Sequence, residues 1–369
     1  MRILLLSTGG KIGGEETFTR NLALALMQRG HYVEVCPGGQ VQKDDLISRG
    51  FNVCEIDITG RTPWAIFRSA KKLSQYVKVH NFQVVHAQAV GPALMGVYAK
   101  KFYKCRVPWI WHNHGITEFA YKYIVPRLDK LDLCISNSDY VYVMLRNHGI
   151  SLGKSRRIHN GINYKSFEVS EQERIINRRN VQEEFGISSD DKIITYVGRL
   201  SPEKGVIHLL KAFEKEYSDC KDITLLLVGD GVQRQEFETF ASQSSAGKKI
   251  YFAGFRSDIK ELLSASDLLV LPSLIETFSL TTLQAFAVGV PVIASDVGGT
   301  PEQILDDFSG RLFKSEDSDD LKEKLHSVLY SEEKSKRYVE NANALCVNYL
   351  NVDRMIDEIE GVYNQLIVK

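Results

Sequence analysis

Apolar residues along the chain fall into short runs separated by amphipathic stretches. Residues 3–6 form one such run and read as a buried strand, 15–29 places Leu22, Ala25, Leu26 and Arg29 at helical spacing, and 32–36 is the next strand. Gly30 closes the intervening helix. Further apolar runs at 84–85, 108–111 and 133–136 are separated by helical stretches, the signature of βαβ units on a mostly parallel sheet. Residues 165–191 break this rhythm with a polar, charge-rich segment, which reads as a linker followed by a surface helix. The alternation then restarts, with strands expected at 193–197, 223–228, 249–252, 268–271 and 290–293. The fold class expected is α/β, with two doubly wound sheets. Ligands are expected at the carboxyl ends of the strands, in the cleft between two such domains.

Length supports two domains, because at 369 residues a single hydrophobic core stops growing. With 44% hydrophobic and 25% charged residues the composition is that of a globular protein, which excludes disorder, collagen and coiled coil. The 46 basic and 46 acidic side chains leave no net charge to attract nucleic acid, so an anionic partner has to be met by a local site. The opening MRILLL is too short for a signal-peptide core or a membrane span and is expected to be the first strand. Six cysteines without a CxxC pair read as reduced thiols of a cytoplasmic protein.

The loop 7–16, STGGKIGGEE, joins the first strand to the first helix. Its glycines, Gly13 and Gly14 among them, let backbone approach a ligand, and N–H groups at a helix start favour phosphate. It matches neither the P-loop nor GxGxxG, and a plain turn explains it equally well. After strand 193–197, YVGRLSPEKG places Arg199 and Lys204 five residues apart on one loop. Two such cations suit a pyrophosphate without a metal, or are solvated surface charges. Glu276 precedes an apolar helix, where it either stabilises the helix N-terminus or accepts hydrogen bonds from sugar hydroxyls. His112 and His114 share one face of a strand end by period two, but no third ligand at fixed spacing accompanies them, so no metal is expected there. The DSD at 317–319 reads as a helix N-cap.

Assembled in order, GGEETFTRNLALALMQRGHYVEV, VVHAQ, HNHG, ISNS, HNGIN, GRLSPEKG, VGDG, FAGF, PSLIETFSL, GVPVIASDVGG and PEQI resemble the retaining glycosyltransferases of family 4, over nearly the whole chain. The resemblance implies a GT-B fold, two Rossmann-like doubly wound parallel-sheet domains facing across a cleft. Residues 1–165 would bind the acceptor, 166–350 the nucleotide sugar, and the last helix, 351–369, would pack back on the first domain. It implies transfer of a hexose-type sugar from a nucleotide diphosphate sugar, UDP first and GDP second, to a hydroxyl of a glycan, lipid-linked glycan or small molecule, in cell-surface polysaccharide or glycoconjugate synthesis. The donor is a substrate; no cofactor and no metal are implied. By matching positions, Arg199 and Lys204 would clamp the diphosphate, with Gly13, Gly14, Phe255 and the backbone of Thr277, Phe278, Ser279 and Leu280 also on the donor. Glu276 would hold sugar hydroxyls and His114 would face the reacting centre, with His112 as its rival. One position departs from the family: Gln284 stands where a second glutamate holds the ribose hydroxyls, and an amide accepts at only one end.

The same resemblance leaves room for a non-catalytic sugar-nucleotide-binding or partner subunit, or for an epimerase or phosphorylase of the same fold. The stretch 61–78 mixes Trp64 and Phe67 with Arg61, Arg68, Lys71 and Lys72. It reads either as a peripheral contact with anionic membrane, at the inner face, or as an ordinary helix with Trp and Phe in the core.

Overall fold

Each strand pairing is parallel, which uninterrupted apolar runs require, because a strand buried on both faces has no polar side to alternate with. The computed structural model describes residues 1–8, 13–115 and 118–368. The chain forms two compact units, Met1–Asn160 with Val352–Lys369, and Gly161–Asn351.

The first unit carries β1 (Arg2–Leu6), β2 (Tyr32–Cys36), β3 (Asn52–Val53), β4 (Val84–Ala87), β5 (Trp109–Asn113), β6 (Leu133–Ser136) and β7 (Ser155–Arg157), in the order β3-β2-β1-β4-β5-β6-β7. Trp109 and Trp111 are fully buried in its core beside Leu4, Leu6 and Val85. Gly96, in the helix Val90–Tyr103, is what lets that helix lie on the sheet: a Cβ there would sit 2.5 Å from the Trp109 ring. The last helix, Val352–Ile367, buries Met355, Ile356, Ile359, Val362 and Tyr363. It is fixed by Arg29 to Asp357 at 2.6 Å, by His31 to Glu360 at 2.6 Å, and by the Tyr363 hydroxyl to His86 Nδ1 at 2.6 Å.

The second unit carries β8 (Lys192–Val197), β9 (Ile223–Val228), β10 (Ile250–Gly254), β11 (Leu268–Leu271), β12 (Val292–Ser295) and β13 (Arg311–Phe313), in the order β10-β9-β8-β11-β12-β13. The charge-rich stretch holds the helix Glu171–Phe185, started by reciprocal hydrogen bonds between Ser170 and Glu173. Asp317 caps the helix Ser318–Leu329 by accepting from the N–H groups of Asp319 and Asp320, so the DSD is a helix start. The strand expected at 290–293 runs instead over Val292–Ser295, because Gly289, in the left-handed region at φ +82°, ends the preceding helix and turns the chain. The three strands the pattern misses, β3, β7 and β13, are sheet edges of two or three residues, too short for any periodicity. All six cysteines are free, four of them buried.

Strand order reverses between β1 and β4 in one sheet and between β8 and β11 in the other. Such switch points open crevices at the carboxyl ends of strands, where ligands of this fold class bind.

Candidate active site

The loops after β8 and β11 flank the second unit's switch point, and they bring Lys204 and Glu276 together. Lys204 ends a short 3-10 turn, Pro202–Lys204, and its Nζ lies 2.8 Å from Glu276 Oε2, across 72 residues of sequence. Both side chains are mostly buried. Gly205 makes this approach possible: it adopts φ +60°, and a Cβ there would lie 2.2 Å from the Pro272 carbonyl oxygen. The Leu274 N–H donates to the Glu203 carbonyl at 2.9 Å, tying the two loops by their backbones. Arg199 springs from the same loop as Lys204 but is not drawn into the pair. Its side chain is 73% exposed and meets Glu203 at 3.3 Å, the kind of surface ion pair worth ~0–1 kcal/mol.

Glu276 also accepts from the Thr277 N–H at 3.1 Å, and the Gly299 N–H donates to the Glu276 carbonyl at 3.1 Å. The helix Leu280–Val288 follows, with Ser279 at its N-cap accepting from the Thr282 N–H. Gln303, almost fully buried, holds Ser279 on both sides: its Oε1 accepts from the Ser279 N–H at 2.7 Å and its Nε2 donates to the Ser279 carbonyl at 2.8 Å. The N–H groups of Thr277 and Ser279 are therefore already engaged. Those of Leu280 and Thr281, in the first turn, have no intrahelical acceptor and are the ones positioned for an anion. Phe278 is buried in the unit's core, Gln284 is half-buried one turn after Leu280, and Phe255 stands 61% exposed beyond the tip of β10.

In the first unit, Gly13 and Gly14 start the helix Gly14–Gln28, while residues 9–12 of the expected ligand loop lie outside the described residues. The Gly13 N–H donates to Glu16 at 2.9 Å, leaving the Gly14 N–H at the helix start. Glu15 accepts from the Ser7 hydroxyl at 3.0 Å and the Thr8 N–H at 3.2 Å. Burial, with the Glu16 charge beside it, nonetheless pushes Glu15 up to about 7. His114, at the end of β5, meets Gln88 Oε1 through Nε2 at 2.8 Å. A carbonyl oxygen only accepts, so Nε2 carries the proton in that contact. Its ring packs on Phe18 and on His112, with both centroids 4.5 Å away. His112 is sealed inside, 0% exposed, and stacked on His86 at 5.4 Å. Among the described residues neither ring nitrogen of His112 has a hydrogen-bond partner. Of the two rivals, then, His114 is the one that reaches partial exposure. Burial pushes His86 and His114 down to about 3, and His112 well below its usual value, so all three rings are neutral at pH 7.

A model of glycosyl transferases group 1 matches residues 177–345, and one of glycosyltransferase family 4 matches residues 12–166. The chain is a family 4-type glycosyltransferase of the GT-B fold. It is 24% identical to N-acetyl-alpha-D-glucosaminyl L-malate synthase of Bacillus anthracis, over 95% of this chain and 94% of that protein. It is 25% identical to the UDP-Gal:alpha-D-GlcNAc-diphosphoundecaprenol alpha-1,3-galactosyltransferase of Escherichia coli, over 82% and 80%. The crystal structure of Anabaena Alr3699/HepE in complex with UDP-glucose superposes with a TM-score of 0.86 at 22% identity, covering 99% of this chain and 100% of that one. In this glycosyltransferase the sequence motifs lie on strand ends and helix starts. What they did not reveal is the support around them. Gln303 and Gln88 each sit inside a motif, yet nothing in the sequence says that one holds Ser279 and the other His114.

Proposed function

We propose that this glycosyltransferase moves a hexose-type sugar from a UDP-sugar to a hydroxyl of a glycan or lipid-linked glycan, with retention of configuration and without a metal, in polysaccharide or glycoconjugate synthesis at the cytoplasmic face. The observation that carries the proposal is the Lys204–Glu276 pair at the β8/β11 switch point, beside the first-turn amides of Leu280 and Thr281, which have no intrahelical acceptor. A diphosphate in that crevice takes Lys204 and the helix start, and Arg199 is held loosely enough to turn onto it. Freed from Lys204, Glu276 accepts from sugar hydroxyls. These fixed charges and dipoles stabilise the anion that grows on the leaving diphosphate. His114 and the Gly14 N–H are assigned to the donor as well, the neutral imidazole offering a hydrogen bond without a competing charge. Further support comes from the UDP-glucose in the Anabaena structure and the UDP-Gal in the name of the Escherichia coli enzyme.

Calorimetry with UDP and GDP tests the donor assignment. UDP should bind, and Gln284→Glu should bind it ~10-fold more tightly, since a carboxylate accepts from both ribose hydroxyls for ~1–2 kcal/mol. Absence of heat with either nucleotide would overturn the donor proposal; equal binding by the variant would remove Gln284 from the ribose.

The helix Pro63–Val79 buries Ile66, Ala70, Leu73 and Val77, but Trp64 is 71% exposed and stacks on Phe67 with Phe102 beside them, so Trp64 is not core. Arg61, Arg68, Lys71 and Lys72 are exposed around that aromatic group. Among the described residues no helix is long and apolar enough to cross a membrane. We assign this face to an anionic lipid surface near the acceptor. Vesicles of phosphatidylglycerol should co-sediment the wild type, and Trp64→Ser with Lys71→Glu and Lys72→Glu should remain in the supernatant; equal sedimentation of both rejects the assignment.

A further inference from the structure

Glu216 is completely buried, yet only one of its oxygens is matched. Oε1 meets His326 Nδ1 at 2.9 Å, while among the described residues Oε2 has no hydrogen-bond partner. An unmatched buried carboxylate oxygen is expensive, and native structures rarely tolerate one. Its neighbours suggest what would match it. Cys220 lies one helical turn further on, at the C-cap of the helix Val206–Asp219, and His326 stands in the last turn of the helix Ser318–Leu329. One carboxylate oxygen, one sulfur and one imidazole nitrogen, from Glu216, Cys220 and His326, all lie within 4.8 Å of one another. Donors around a tetrahedral ion with bonds of ~2.0–2.3 Å stand about 3.5 Å apart. The remaining closure falls to His326, whose side chain is 60% exposed, bonded to Glu216 and packed on Tyr330 with ring centroids 5.0 Å apart.

The surrounding field also favours a cation. A cavity of about 390 Å³ opens on the cluster, lined by Glu216, Asp219, Lys322, Glu323, His326 and Ser327. Three of these are acids against a single amine, and Lys322 is already held by Asp219 at 2.5 Å. Both helices present their C-terminal ends, the negative pole of the helix dipole. The helix Val206–Asp219 starts beside Lys204, so its far end lies ~20 Å from the donor loops at 1.5 Å per residue.

We propose that Glu216, Cys220 and His326 form a site for a transition-metal dication of the zinc class. The mixed oxygen, sulfur and nitrogen set excludes magnesium and calcium, which take oxygen, and leaves a fourth position for water. Binding deprotonates the Cys220 thiol, its proton passing to solvent, and pins the two helices together. The ion is structural and takes no part in sugar transfer.

Titration of the metal-free full chain with Co²⁺ and Zn²⁺ tests the site. One equivalent should bind, Co²⁺ should give a sulfur-to-metal charge-transfer band that Cys220→Ser abolishes, and His326→Ala should weaken Zn²⁺ binding by more than ~10-fold. His326→Ala also removes the partner of Glu216 Oε1, so thermal unfolding is followed beside the titration, with Cys220→Ser, which leaves that bond in place, as the second variant; UDP binding should be unchanged in both. No saturable uptake, a band that survives Cys220→Ser, or Zn²⁺ binding unaffected by His326→Ala would each overturn the site, whatever the outcome with nucleotide.

Discussion

Lys204→Met is expected to lower kcat/KM for sugar transfer by ~10²–10³-fold, the equivalent of about 3–4 kcal/mol of lost transition-state stabilisation. On the proposed donor chemistry, the charge that develops on the leaving diphosphate needs a cation already in place, and Lys204 is held by Glu276 at 2.8 Å in a mostly buried setting. Methionine keeps the length and the apolar stem while removing the charge. The fold should survive, since Glu276 retains the Thr277 N–H as a donor, and the loss in stability should be about 1–2 kcal/mol. Glu276→Gln should lower kcat/KM by a similar factor, because the amide loses charge-assisted acceptance of sugar hydroxyls. The double variant should lose much less than the product of the two, as residues in direct contact are not additive. Arg199→Ala should be milder, ~10-fold, because its ordering comes from the ligand rather than from the weak Glu203 pair. Initial rates with the cognate donor, beside thermal unfolding of each variant, decide this. Both single variants within threefold of wild type would remove the pair from the chemistry.

The expected class of fold agrees with the two parallel sheets because buried parallel strands write themselves into the chain as apolar runs. The same physics hides β3, β7 and β13, whose two or three residues contribute an edge and no period. The placement of Arg199 and Lys204 at a strand tip beside a glycine turn was legible in YVGRLSPEKG, and the structure has them on the loop after β8. Which cation is held and which is loose was not legible. Lys204 differs from Arg199 only through Glu276, 72 residues away, and that contact depends on the whole sheet order. Likewise the resemblance puts phosphate on the backbone of Thr277 to Leu280, whereas Glu276 and Gln303 occupy the Thr277 and Ser279 amides, leaving Leu280 and Thr281 in the first turn without an intrahelical acceptor. That His112 and His114 share a face followed from strand alternation; the stacking of His86 on His112 did not, because β4 and β5 are neighbours only in the folded sheet.

That stack predicts acid lability of the first unit. His86 and His114 are pushed down to about 3 and His112 well below its usual 6.5, chiefly by burial. Below pH 6.5 the unfolded chain therefore binds three protons that the folded unit refuses. Stability that is complete above that value is lost as pH falls toward 3, at ~1.4 kcal/mol per pH unit for each histidine and ~4 for the three. Glu15 acts in the opposite sense. Its folded value is raised to about 7 from 4.5, so its contribution is present below 4.5 and lost as pH rises through 7; on acidification it returns ~1.4 kcal/mol per unit within that window. The balance is a net loss of roughly 3 kcal/mol between pH 7 and pH 5, a large share of a typical 5–15 kcal/mol stability. Urea unfolding of the first unit, followed by the fluorescence of the buried Trp109 and Trp111, should show it. In His112→Phe an aromatic ring keeps the stack and one refused proton disappears, so the slope should flatten by ~1.4 kcal/mol per pH unit. Identical slopes in the two proteins would mean that His112 accepts a proton in the folded state, and that the neutral stack behind His114 is not held by burial.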